Sequence, residues 1–182
     1  MANKRIYIDT EYMYDAMFIE ERMPRDTDKK QIIQIAAILF DTETGQEIDH
    51  LDILVKPIYH TILPDFFIKL TSITDDIIQK NGVDFITAYE KFLEFSKGHP
   101  IWTYNNDFHV IEQNCLFHNI NNPITEPFIK VKPQLKKWSI DADKYSSGTL
   151  YQAAELKMQG HAHYALHDVR SMAHAMFYFE NL

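Results

Sequence analysis

Gln31-Ile32-Ile33-Gln34-Ile35-Ala36-Ala37-Ile38-Leu39-Phe40 decides the fold class of this chain. Its near-continuous run of apolar and β-branched residues suits a strand buried on both faces, which needs a layer of structure on each side. Upstream, residues 4–9 alternate with Ile6 and Ile8 on one side and predict a short strand. A polar loop from Glu20 to Lys30 links the two. Downstream, Asp41-Thr42-Glu43-Thr44-Gly45 carries turn chemistry, and residues 47–55 return as a third strand that ends before Pro57. The three strands predict a meander.

Helical spacing takes over after the meander. Thr74 can cap a short helix that stops at Gly82, and Asp84 can cap the next, where Phe85, Ala88, Tyr89, Phe92 and Phe95 recur at helical intervals. Pro100 to Tyr104 reads as a short strand, followed by a helix over 107–118 with Val110, Ile111, Asn114, Cys115 and His118 along one side. Pro123 and Pro127 open a long irregular connection. Helices are expected around 149–157 and from about 165 to 180, the last with a core stripe of Val169, Met172, Ala173, Met176 and Phe177. Strands first, then strands alternating with helices, predict an α/β domain.

The chain has 182 residues, enough for one domain with a full core and too few for two ordinary ones, so residues 1–182 are expected to form a single domain. Its apolar runs fall short of the ~20 residues that span a bilayer, and its start is unlike a secretory signal. Cys115 is the one cysteine, which excludes an intrachain disulfide. A cytoplasmic location, with no membrane partner, is the expectation. The 26 acidic against 18 basic residues argue against a long grip on duplex phosphates, but not against a cleft that takes a few nucleotides beside bound cations. Lys130, Lys132, Lys136 and Lys137 read as a solvated loop rather than a phosphate track.

Against that acidic background, four carboxylates occupy telling positions. Asp9 and Glu11 are two apart at a strand end and share a face if the strand persists. Asp107 opens a helix after an apolar run, a place where a simple N-cap is the rival reading. Asp168 follows His163 by five residues at a helix start, where a surface carboxylate is the rival. Two-metal hydrolysis of phosphodiesters needs carboxylates that converge from separate elements on cations ~3.5–4 Å apart, with a base such as His163 for the attacking water.

Asp9-Thr10-Glu11, then Asp107, then His163-x-Ala165-x-x-Asp168 resemble, across essentially the whole chain, the three motifs of the DnaQ-like DEDDh 3′–5′ exonucleases. The likeness takes in Gln34, the segment Leu70-Thr71-Ser72-Ile73-Thr74 and the final helix. It implies a ribonuclease-H-like mixed five-stranded sheet flanked by helices. It also implies two divalent cations, Mg²⁺ with Mn²⁺ as a substitute, held by Asp9, Glu11, Asp107 and Asp168. His163 would be the general base, and Thr10, Tyr12 and Met13 would lie beside the terminal nucleotide. The implied activity releases nucleoside 5′-monophosphates from the 3′ end of single-stranded or short RNA or DNA, by a homodimer or a subunit of a larger complex. Many relatives carry a small or Gly-containing turn after the first acidic pair, whereas this chain reads Tyr12-Met13-Tyr14-Asp15, so substrate preference does not carry over.

Rival readings attach to particular residues. Tyr164, four before Asp168, matches the sister pattern in which tyrosine replaces the histidine. His163 and His167, with His161 nearby, would share a helix face and could hold a single zinc, although that leaves Asp9, Glu11 and Asp107 unexplained. The fold could also persist as an inactive binding module, which a missing ligand would ordinarily betray. Tyr12, Tyr14, Phe108 and Tyr164 are the candidates to stack on bases, with core packing the favoured role for Phe108.

Overall fold

The stretch 31–40 lies at the heart of a five-stranded sheet in a computed structural model that describes residues 3–14, 29–121 and 124–182. Strand β1 (Lys4–Tyr14) pairs antiparallel with β2 (Lys30–Asp41), and β2 with β3 (Gln46–Leu54), as the meander requires. β1 runs five residues past the expected end at residue 9, because its polar half keeps pairing with β2 as far as Tyr14↔Lys30. Alternation missed that half, since Glu11 and Tyr14 interrupt the apolar pattern. The expected loop from Glu20, Asp15 and Pro123 lie outside the described residues.

Helices α1 (Asp65–Thr71), α2 (Asp75–Asn81) and α3 (Phe85–Ser96) follow. Thr74 and Asp84 cap α2 and α3 by accepting the backbone N–H of Ile77 and Thr87, and Gly82 ends α2. α1, which starts after Pro64, has no counterpart among the expected elements. β4 (Ile101–Thr103) pairs parallel with β1 and leads into α4 (Asp107–Phe117). β5 (Phe128–Lys130) pairs parallel with β4 and replaces part of the expected irregular connection. Three residues are too few to show a period. α5 (Val131–Leu135) comes next, so the four lysines lie on ordered elements and not in a loop. Residues 147–154 form a 3₁₀ helix in place of the expected helix over 149–157. There the Tyr151 N–H is taken by the Ser171 hydroxyl, and Glu155 stops the turn in a left-handed conformation. α6 (Ala165–Glu180) closes the fold where its stripe predicts.

The strand order is β3-β2-β1-β4-β5, and helices cover both faces. On one face Ile6 and Ile8 pack with Phe85, Ala88 and Phe92 of α3 and Val110 and Ile111 of α4. On the other, Tyr7, Ile38 and Phe40 pack with Val169, Met172 and Met176 of α6. Paired hydrogen bonds from Arg170 to Glu47 and from Arg5 to Glu180 fix α6 across the sheet at two points. Among the described residues, no helix is long and apolar enough to cross a membrane.

Candidate active site

The site forms where β1, the start of α4, the 3₁₀ helix and the start of α6 meet. Pleating puts Asp9 and Glu11 on the face of β1 that looks toward α6. Between Glu11 and Tyr12 the register with β2 slips by one residue, a bulge that changes the course of the strand at the carboxylates. Asp107 is the first residue of α4, with Asn106 at the cap position. Instead of capping its own helix, its carboxylate crosses to β1 and accepts the Thr10 N–H at 3.0 Å and the Thr10 hydroxyl at 2.7 Å. The Thr103 hydroxyl donates to the other oxygen. Asp168, in the first turn of α6, accepts the Ser147 hydroxyl at 3.1 Å and the His163 N–H at 3.1 Å.

All four carboxylates are buried: Asp9 is 6% exposed, Glu11 9%, Asp107 5% and Asp168 2%. They line one cleft of about 230 Å³ with Thr10, Tyr12, Tyr14, Asn106, Ser147 and His163. Ligand atoms of Glu11, His163 and Asp168 lie within 4.8 Å of one another. Among the described residues, no lysine or arginine forms an ion pair with any of the four.

Burial, with no lysine or arginine paired to it among the described residues, raises every carboxyl in the cluster. Burial, then the charges of Asp107, Asp168 and Glu11, push Asp9 well above the usual range. Burial, then Asp168 and Asp107, push Glu11 up to about 8. Asp168 rises to about 7 through burial, against the pull of its Ser147 and His163 hydrogen bonds. Burial raises Asp107 too, opposed by Thr103 and Thr10. The His163 imidazole is held below its ordinary value by burial and then by His161, a shift that favours the neutral ring.

The expected residues divide cleanly. Asp9, Glu11, Asp107, Asp168, His163, Thr10 and Tyr12 meet at the cleft, whereas the Met13 side chain does not. Met13 is buried with Ile33, Leu63, Phe67, Ile73 and Ile78, because the segment carrying α1 and α2 closes over that end of β1. Tyr164 points the other way, its hydroxyl donating to Asp52 on β3 at 2.8 Å. His163 precedes α6 with φ +68, so it shares no helix face with His167. The His167 ring is held by the carbonyls of Gln159 and Gly148, and a zinc pair does not form. Phe108 is half-buried against the Phe128 ring.

The exonuclease family model (RNase T) matches residues 6–176. The chain belongs to this family. No curated protein matches the chain, but solved structures do. The nuclease domain of 3′hExo, described as a DEDDh family member bound to rAMP, is 19% identical over 98% of this chain and 92% of its own, with a TM-score of 0.83. Cell-death related nuclease 4 is 17% identical over 98% and 64%, with a TM-score of 0.78. Exonuclease I from Methylocaldum szegediense is 18% identical over 98% and 40%, with a TM-score of 0.68. The exonuclease thus has the mixed ribonuclease-H-like sheet that its motifs imply.

Sequence reading missed the hydroxyls that orient the carboxylates, Thr103 and Ser147, together with Gly148. The run Ser146-Ser147-Gly148 is a turn signal whose partner, Asp168, is 20 to 22 residues away and is invisible without the fold.

Proposed function

We propose that this exonuclease works 3′ to 5′, as a single catalytic domain over residues 1–182. It removes nucleoside 5′-monophosphates from an accessible 3′ end of single-stranded or short RNA or DNA in the cytoplasm. The observation that carries the reading is the convergence of four buried carboxylates and His163 on a single cleft. A buried all-oxygen donor set with no lysine or arginine partner among the described residues fits hard divalent cations, Mg²⁺ or Mn²⁺. Asp9, Glu11, Asp107 and Asp168 would hold two of them. When bound, such ions supply Lewis acidity and neutralise charge at the phosphodiester.

The chain's own residues do the rest. Thr10 and Tyr12 flank the terminal nucleotide, and the Tyr12 and Tyr14 rings, 6.5 Å apart, offer faces for unpaired bases. His163 takes the proton of the attacking water as its oxygen bonds to phosphorus. The bond from phosphorus to the 3′ oxygen breaks, which frees the 5′-monophosphate, and the departing 3′ oxygen takes a proton from solvent to become the new 3′ hydroxyl of the shortened strand. The cleft's size favours a frayed or single-stranded end over a blunt duplex.

The test is digestion of matched RNA and DNA oligonucleotides labelled at the 5′ end, in Mg²⁺ or Mn²⁺. Stepwise shortening from the 3′ end is expected, abolished in Asp9→Ala and by chelation. Full activity in either control sinks the reading. An inactive binding module would retain the oligonucleotide and never shorten it.

A further inference from the structure

Three side chains beneath the His163 turn form a hydrogen-bonded chain that the reaction does not itself require. Gln34, fully buried on β2, stands directly across from Glu11 of β1 in the strand register. Its Oε1 accepts the N–H of Ala165, the first residue of α6, at 3.1 Å. Its Nε2 donates to Asp52 Oδ1 on β3 at 2.7 Å, and the other oxygen of Asp52 accepts the Tyr164 hydroxyl at 2.8 Å. Both ends therefore grip consecutive residues, 164 and 165, immediately after His163.

That grip has a geometric consequence. His163 adopts φ +68, a conformation that costs a non-glycine residue about 1 kcal/mol or more and persists only where its surroundings hold it. Its own N–H donates to Asp168, so the same turn sets the ring of His163 and the carboxylate of Asp168. With Tyr164 tied outward to Asp52, the turn presents His163 to Glu11 and Asp168.

We propose that Gln34 and Asp52 are positioning residues. Through Ala165 and Tyr164 they lock the turn that aims His163 and Asp168 at the cleft, and Asp52 acts by geometry and not by its charge. The proposal rests on the exonuclease reading for its kinetic consequence, and on the carboxylate cluster alone for cation binding.

Two readouts test it, turnover on a single-stranded oligonucleotide and Mn²⁺ affinity by calorimetry. Gln34→Met, of similar length but unable to hydrogen-bond, should lower kcat roughly 10- to 100-fold with KM nearly unchanged, and should weaken Mn²⁺ binding about 10-fold or more. Asp52→Ala should do the same more mildly. Asp52→Asn should stay near wild type, because its oxygen still accepts from Gln34 while its amide can donate to the phenol oxygen. The double variant Gln34→Met/Asp52→Ala should be no worse than Gln34→Met, as members of one chain are not additive. Wild-type kcat and Mn²⁺ affinity in Gln34→Met would overturn the proposal, as would additive losses or an Asp52→Asn as impaired as Asp52→Ala. A wild-type protein that binds Mn²⁺ without cleaving would remove the exonuclease reading, and Mn²⁺ affinity would still decide the role of Gln34.

Discussion

Gly148 approaches Asp168 so closely that a methyl group on its Cα would sit 2.3 Å from the carboxylate oxygen Oδ1. The same methyl would lie 2.8 Å from Ala162 Cβ, so it has no free direction. Only a residue without a side chain lets the 3₁₀ helix lie against the Asp168 carboxylate.

Gly148→Ala should therefore displace Asp168 and also push on the backbone at Ala162, whose Cβ has no rotamer to escape into. Ser147 and the His163 N–H hold Asp168 in place, and a shift of about 1 Å at a catalytic group can cost 100-fold. Kinetics should show kcat down by roughly that factor, with an unchanged far-ultraviolet circular dichroism spectrum. Wild-type turnover would mean that Asp168 tolerates the shift and that its observed position is not the working one.

Thr103 offers a finer probe of Asp107. Its hydroxyl donates to one carboxylate oxygen while Thr10 occupies the other. Thr103→Val keeps the shape and removes the donor, at a cost of roughly 1 kcal/mol, which is about fivefold in rate. Single-turnover measurements should show that loss in the chemical step. A loss confined to substrate affinity would relocate the role of Asp107 from chemistry to binding.

Met13 separates the motif's expectation from the fold's. The resemblance puts it beside the nucleotide, yet its side chain is 1% exposed in an apolar cluster. Met13→Ala should destabilise the protein by roughly 2–5 kcal/mol, as core truncations do, and leave KM nearly unchanged. Chemical denaturation and steady-state kinetics on the same preparation decide it. A raised KM with intact stability would restore Met13 to the substrate.

These cases mark where sequence stopped being readable. β2 and α6 were legible because long apolar periods survive without tertiary information. The convergence of the four carboxylates was legible because they fall at element ends, in the order and spacing of the motifs they resemble. β5 was hidden, since a three-residue strand has no period. The direction of Met13 depends on α1 and α2 folding back over β1, and the roles of Thr103, Ser147 and Gly148 depend on partners from other elements. Single-residue properties carry none of that information.

The acidity of the cluster gives a stability signature independent of turnover. Burial chiefly, then neighbouring charge, raises Glu11 to about 8; burial chiefly raises Asp168 to about 7. A carboxyl raised in the folded state is protonated in both states below its unfolded value near 4. Its contribution is fully present there and is lost as pH climbs through the folded value. Metal-free protein should therefore melt progressively lower from pH 5.5 to pH 8.5, by at least several degrees. Asp168→Asn should flatten that slope. Mg²⁺ needs ionised ligands, so it should raise the melting temperature strongly at pH 8.5 and hardly at pH 5.5. Scanning calorimetry at both pH values, with and without Mg²⁺, tests all of this at once. A Mg²⁺ effect of equal size at the two pH values would show that the ion binds away from these carboxylates.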